Sequence, residues 1–413
     1  MKIAVFARST TKHHTSGGME THLKNLVEGL ALFNHDITVI TTSHPAHIAE
    51  DFEESDSKVK YFFIKETTPG LNPLSNWEKI FSKLGFLNRG VKEESANYFI
   101  ESKRVFNLLD QKDKSFDVII SQSTGAYGIY ESISVPMISI IHGTIKTEMK
   151  NRWQALKTIK NIIRFFVVDV PKWAYESAIE NKKFFERMNK IIAVSEPLKE
   201  DFISDYPNLK PKVVVIPNGV DENIFKPAES VAEKYQKFTV LYVGRMELEK
   251  GIDEIIRAIG DLKEHQIDAQ AVLIGDGIHI ETFKSLADEL GIAEQTKFLG
   301  QIKNDLLNEY YKKCHVFALP SKRVEGHPMT ISEAMCSGLP ILSTDKGGLK
   351  TLFTDEKEGY FIEDYKSLAE KIKYLINNKD ILAEMSNASR ITAVQKYSKN
   401  AMISRYIECL NSL

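Results

Sequence analysis

Two series of short apolar runs, each run followed by a segment of helical periodicity, constrain this chain more than any other feature. In the first series the runs fall at 2–8, 37–41, 59–64, 116–121, 137–141, 191–194 and 213–216. In the second they fall at 239–243, 271–274, 297–299, 316–319 and 341–343, with helical patterns near 251–263, 280–290, 303–313 and 329–337. A run of branched residues that gives way to a 3.6-residue period reads as a buried strand and its crossover helix. Each series therefore predicts a parallel sheet with helices on both faces. Between the series lies a turn-rich passage bounded by Pro217 and Pro227, a natural domain boundary. The expectation is an α/β fold of two Rossmann-like domains facing across a cleft, 1–217 with 396–413 and 218–395.

Composition narrows the function classes. A chain of 413 residues can bury two cores, and a net charge of −2 gives no bulk attraction to nucleic acid. Cys314, Cys336 and Cys409 lack CxxC or Cys–His spacing, so they read as buried thiols in a reducing compartment, and no metal site is legible. The first residues lack the apolar core and cleavage site of a signal peptide, and no apolar run reaches the roughly 18 residues of a membrane span. The chain reads as cytoplasmic, with peripheral attachment to the inner face of the membrane left open. One segment, starting at Lys146 and ending at Lys190, interleaves basic residues with Trp153, Phe165, Phe166, Trp173, Phe184 and Phe185. It suits an anionic membrane surface, or helices packed on the sheet through their aromatic faces. Residues 65–100, with Pro69, Gly70 and Pro73, read as an irregular insertion whose one candidate role is acceptor binding.

Open α/β sheets bind ligands beyond the carboxyl ends of their strands, so the residues just past each run matter most. Gly17 and Gly18 stand between the first run and a helix starting near Met19; they are a plain turn or a close backbone approach to an anion. Ser121, Gln122 and Ser123 follow one run, and His142 with Gly143 follows another, either holding a substrate hydroxyl or capping the strand. After 239–243 come Gly244, Arg245 and then Lys250 with Gly251, a glycine-bounded loop in which a diphosphate could meet a planar fork and a point charge. After 316–319, the passage 325–348 reads strand, loop, helix, strand. Glu325 falls in its loop, Glu333 lies inside its helix, and the N–H groups of the helix start lie between them. Acids flanking amide donors suit a polyhydroxylated anion such as a sugar nucleotide, and equally suit a plain crossover with surface acids.

Taken in order, Gly17-Gly18, His142-Gly143, Pro217-Asn-Gly, Gly244-Arg245, Lys250-Gly251, Gly275-Asp-Gly277, Pro320-Ser321 and Glu325 with Glu333 resemble glycosyltransferase family 4, the retaining, nucleotide-sugar-dependent enzymes of GT-B fold. The resemblance covers nearly the whole chain and is tightest over 213–348. It implies donor binding by the second domain, acceptor binding by the first, and a last helix over 397–412 that crosses back. It assigns Arg245 and Lys250, after Gly244, to the donor diphosphate, Glu333 to the ribose hydroxyls and Glu325 to the sugar. The amides of Met329 and Thr330 would bind sugar or phosphate, those of Gly17 or Gly18 phosphate, and His142 the transferred sugar. Three departures bear on the donor sugar: His327 stands where an apolar or aromatic residue is usual, Pro328 has no N–H, and Lys350-Thr351 replaces the frequent Pro-Glu.

The implied reaction is metal-independent hexosyl transfer from a nucleoside-diphosphate sugar, such as a UDP-sugar, to a hydroxyl of a saccharide or lipid-linked saccharide in cell-surface polysaccharide or glycolipid synthesis. No cofactor is expected beyond that co-substrate. Two other classes stay in view: a sugar-nucleotide epimerase of the same fold, which needs acid and base groups placed for elimination, and a non-catalytic sugar-nucleotide-binding subunit.

Overall fold

The structure, a computed structural model, describes residues 1–13, 17–56, 58–65, 89–113, 116–154, 158–175, 177 and 181–413. The chain divides into two compact units, one of Met1–Val194, Lys199–Ile216 and Arg405–Leu413, the other of Ser195–Leu198 and Pro217–Ser404. Both are Rossmann-like α/β layers, as the alternation of runs predicts.

The first unit holds strands β1 (Lys2–Phe6), β2 (Asp36–Thr41), β3 (Phe52–Asp56), β4 (Val59–Phe63), β5 (Val118–Gln122), β6 (Met137–Ile141), β7 (Lys190–Ala193) and β8 (Val213–Val215) in the order β3-β4-β2-β1-β5-β6-β7-β8. Every pairing is parallel except β3 with β4. Ile3, Val5, Ile119, Ile120, Ile138 and Ile192 are fully buried, which is why these runs carry no polar alternation. β3, reading Phe-Glu-Glu-Ser-Asp, escapes the sequence reading because it is an antiparallel edge strand with one exposed, charged face. Ser121 and Gln122 do not follow β5 but end it, paired with Ser139 and Ile140 of β6.

Two further expectations change. The irregular reading of 65–100 fails at its end, where helix Arg89–Asp113 begins; 66–88 lies outside the described residues. The basic aromatic segment forms helices Ile145–Gln154, Ile159–Arg164 and Val170–Tyr175, the last two joined by a π-helical turn at Phe165–Asp169, and then Lys182–Arg187. Its residues 155–157, 176 and 178–180 lie outside the described residues. Phe165, Phe184 and Phe185 are buried, while Trp153, Ile159, Ile163, Phe166 and Val167 are exposed, so the aromatic pattern serves two purposes.

The second unit carries β9 (Phe238–Val243), β10 (Ala269–Ile274), β11 (Thr296–Phe298), β12 (Val316–Leu319), β13 (Ile341–Ser343) and β14 (Gly359–Phe361) in the all-parallel order β11-β10-β9-β12-β13-β14. Its core joins Leu241, Leu273, Phe317 and Leu342 of the sheet to Ile255 and Ile259 of helix Ile252–Glu264 and Ile331 and Met335 of helix Met329–Cys336. Among the described residues, no helix is long and apolar enough to cross a membrane.

Candidate functional site

In the second unit the chain leaves β9 for β10 on one flank and later returns to β12 on the other. The carboxyl ends of β9 and β12 therefore bound the point where strand order reverses, the place in an open parallel sheet where loops part and a ligand fits. The β9 loop carries Arg245 through a single 3-10 turn, Leu248–Lys250, to Gly251 at φ 75°, where helix Ile252–Glu264 starts. A side chain at Gly251 would overlap the Pro320 carbonyl oxygen, so glycine is what lets the β9 and β12 loops touch.

That approach produces the site's main electrostatic feature. Lys250 Nζ donates to Glu325 Oε1 at 2.8 Å, and Ser321 Oγ donates to the same oxygen at 2.8 Å. The two ionic side chains are only 14% and 11% exposed. Burial opposes ionisation of Glu325, but the Lys250 ammonium and the two donated hydrogen bonds outweigh it, and its carboxyl is held below the usual range. The backbone is tied as well. Lys322 N–H donates to the Glu249 carbonyl, Gly348 N–H donates to the Glu325 carbonyl at 2.7 Å, and Glu325 forms a parallel bridge with Gly347. Three loops are thus pinned around one buried ion pair.

Arg245 lies apart from this cluster. Its guanidinium is 64% exposed and paired with Glu247 at 2.7 Å, while its carbonyl accepts from the Tyr242 hydroxyl, which fixes the backbone of Gly244 and Arg245 and leaves the side chain on the surface. Helix Met329–Cys336 begins after Pro328 with no side-chain cap, so the first-turn amides of Met329 and Thr330 are offered by backbone geometry alone. Glu333, four residues into this helix, is 2% exposed; Tyr311 Oη donates to its Oε2 at 2.9 Å and Asn304 Nδ2 to its Oε1 at 3.2 Å. Burial raises its carboxyl pKa more than these two bonds lower it. His327, one of the three departures from the family pattern, is buried, with Nε2 2.8 Å from Ser332 Oγ and its ring edge-on to Tyr397 at 5.3 Å. It fills the apolar or aromatic position with a ring whose polar atom finds a hydroxyl inside.

In the first unit the strand order reverses between β1 and β5. Gly17 precedes helix Gly18–Leu32, but its N–H donates to Glu20 Oε2 at 2.9 Å, so a carboxylate of the helix's own first turn takes that amide. His142, past β6, has Nε2 2.8 Å from Gln122 Oε1; an amide oxygen can only accept, which places the proton on Nε2. Burial lowers the His142 pKa to about 4, so the ring is neutral at pH 7. His22 stands 5.0 Å away, ring edge to face.

Sequence reasoning singled out Lys250, Glu325 and Glu333, named Gln122 and Ser321 only as members of strand-end motifs, and missed Tyr311 and Asn304. Asn304 and Tyr311 sit seven residues apart, on one face of helix Asn304–Lys313, a spacing that was legible without showing what the face meets. Among the described residues no group of three or more His, Cys, Asp or Glu is placed to hold a metal ion.

Residues 16–224 match the family model described as Glycosyltransferase Family 4, and residues 224–392 match Glycosyl transferases group 1. A GDP-mannose-dependent alpha-(1-6)-phosphatidylinositol monomannoside mannosyltransferase of Mycobacterium tuberculosis is 26% identical over 42% of this chain and 49% of that protein. The chain spans about half the length of the curated relatives it matches. Among solved structures, sucrose-phosphate synthase from Thermosynechococcus elongatus superposes with a TM-score of 0.74 at 18% identity, over 100% of this chain and 98% of that one. Anabaena HepE in complex with UDP does so with a TM-score of 0.69 at 18% identity, over 100% of both chains. At these identities the likeness establishes the fold, which is that of these glycosyltransferases.

Proposed function

The chain belongs to glycosyltransferase family 4, and from that premise we propose that it moves a hexose-type sugar from a nucleoside-diphosphate sugar to an acceptor hydroxyl with retention at the anomeric carbon. The observation that carries this reading is the buried Lys250–Glu325 pair at the β9/β12 reversal, beside the uncapped start of helix Met329–Cys336. An ammonium held ready by a carboxylate is a preorganised site for an anion that appears as a bond breaks. When the diphosphate arrives, its oxygens take Lys250, joined by Arg245 swinging from Glu247 and by the amides of Met329 and Thr330. Glu325, released from Lys250, accepts from sugar hydroxyls. The Glu333 carboxylate holds the ribose. The two cations supply what a metal would, no side chain acts as nucleophile, and the departing phosphate oxygen receives the acceptor proton on the front face.

An epimerase would rework the sugar while it stays attached to the nucleotide. Proton NMR of UDP-glucose, GDP-mannose or ADP-glucose incubated with the protein and no acceptor separates the two. Slow release of nucleoside diphosphate and unaltered sugar supports transfer, with water as acceptor; a changed sugar still bonded to nucleotide refutes it.

The acceptor is proposed to be a saccharide or lipid-linked saccharide used for a cell-surface polymer or glycolipid, met at the membrane surface. Support comes from the run through Ile159, Ile163, Phe166 and Val167, which are 77%, 54%, 56% and 54% exposed. These recur at i, i+4, i+7 and i+8, one helix face, in a segment that also exposes Lys146, Lys150 and Lys172. The protein is expected to float with vesicles containing phosphatidylglycerol and not with neutral ones, and Ile163→Asp with Phe166→Asp to abolish this; flotation indifferent to lipid charge or to both changes removes the proposal.

A further inference from the structure

Glu333 is an unusual carboxylate for its depth. At 2% exposure it has no cation partner among its described contacts, and its two bonds come from neutral donors, a phenol and an amide. Glu325, whose side chain is 11% exposed, is by contrast paired with Lys250. A carboxylate has about four lone-pair directions, so Glu333 keeps roughly two unsatisfied in a site where each unmet bond is costly. Each oxygen can accept one further O–H or N–H donor.

We infer that Tyr311 and Asn304 are positioning residues which, from one face of helix Asn304–Lys313, fix the Glu333 carboxylate with one lone pair of each oxygen turned to the 2′- and 3′-hydroxyls of the donor ribose, and so make the site selective for ribonucleotides over deoxyribonucleotides. This rests on the reading that Glu333 holds the ribose. The geometry supports it on three counts. The Tyr311 ring is fully buried, edge-on to Phe225 at 5.6 Å and beside Phe317, so its hydroxyl cannot swing away. Its Oη meets Oε2 while Asn304 meets Oε1, so the plane of the carboxylate is set from two sides. The neutrality of both donors leaves the charge of Glu333 available to a hydroxyl, whereas an arginine there would have consumed it.

The test is calorimetric binding of UDP, GDP and ADP and of their 2′-deoxy counterparts to the full chain and to Tyr311→Phe, Asn304→Ala and Glu333→Gln. The wild type is expected to prefer the ribo form of the nucleotide it binds by about 10- to 100-fold, as loss of a hydrogen bond to a charged group implies. Tyr311→Phe, which keeps the ring, should cut that preference at least about fivefold while deoxynucleotide binding is unchanged, and Asn304→Ala should do the same. Tyr311→Phe should also move the acid loss of ribonucleotide binding to higher pH, because the Tyr311 bond lowers the Glu333 pKa. Equal weakening of ribo and deoxy forms in both variants would mean a merely structural role and overturns the inference. A preference that survives Glu333→Gln, or is missing in the wild type, overturns instead the assignment of Glu333 to ribose, and the inference with it.

Discussion

Replacing Lys250 by Ala is expected to lower kcat by about 10²- to 10³-fold, the usual cost of one donor lost from the site where charge develops. The same change should destabilise the second unit by about 3–5 kcal/mol, because it strands Glu325 as an uncompensated buried charge. The two effects have different origins and can be separated. Adding Glu325→Gln to Lys250→Ala removes the stranded charge and leaves a neutral amide that Ser321 can still reach. Most of the stability should return, while turnover should stay at least as low. Thermal unfolding and initial rates on the wild type and the two variants decide it. Recovery of both together would mean that Lys250 acts only by holding the loops, and the diphosphate assignment would fall.

Gly251→Ala should damage the same site without touching a charge. At φ 75° a side chain is strained by about 1–2 kcal/mol, and its Cβ would overlap the Pro320 carbonyl oxygen, so the β9 and β12 loops must part. A shift of about 1 Å between Lys250 and Glu325 is enough to cost about 100-fold in rate. Gly291 provides the control. Its φ is 62° but nothing lies within 4 Å of its Cβ position, so Gly291→Ala should show the conformational cost alone, with kcat unchanged. Similar activity losses in both variants would contradict a site held by close loop approach.

Why some of this was legible from residues alone, and some not, follows from the physics of each element. Strands such as Val118–Gln122 and Ala269–Ile274 are buried on both faces, and their apolar runs announce them; Phe52–Asp56 pairs only at an edge, so its composition is that of a loop. Strand ends and glycines mark where loops must turn, which is why Arg245, Lys250 and Glu325 stood out as candidates. What a side chain meets across the sheet order is a different matter. Lys250 and Glu325 are brought together only because β9 and β12 are neighbours, a pairing that local periodicity does not encode. The same holds for His327: its departure from the family pattern was visible, but its direction, inward to Ser332 and Tyr397, depends on tertiary packing. Glu20, three residues past Gly17, stood in plain view at a capping position, and the structure shows it holding the amide assigned to phosphate.

The proposed donor site is built around one largely buried ion pair at the β9/β12 reversal. Its most direct test is calorimetric titration of UDP, GDP and ADP into the wild type and into the Lys250→Ala, Glu325→Gln double variant, which restores neutrality without restoring the cation. The predicted result is that one of the three binds the wild type and binds the double variant about 10-fold more weakly or worse, the loss expected when a charge-assisted contact goes. Binding of equal strength to both proteins, or no binding of any of the three to the wild type, would contradict it.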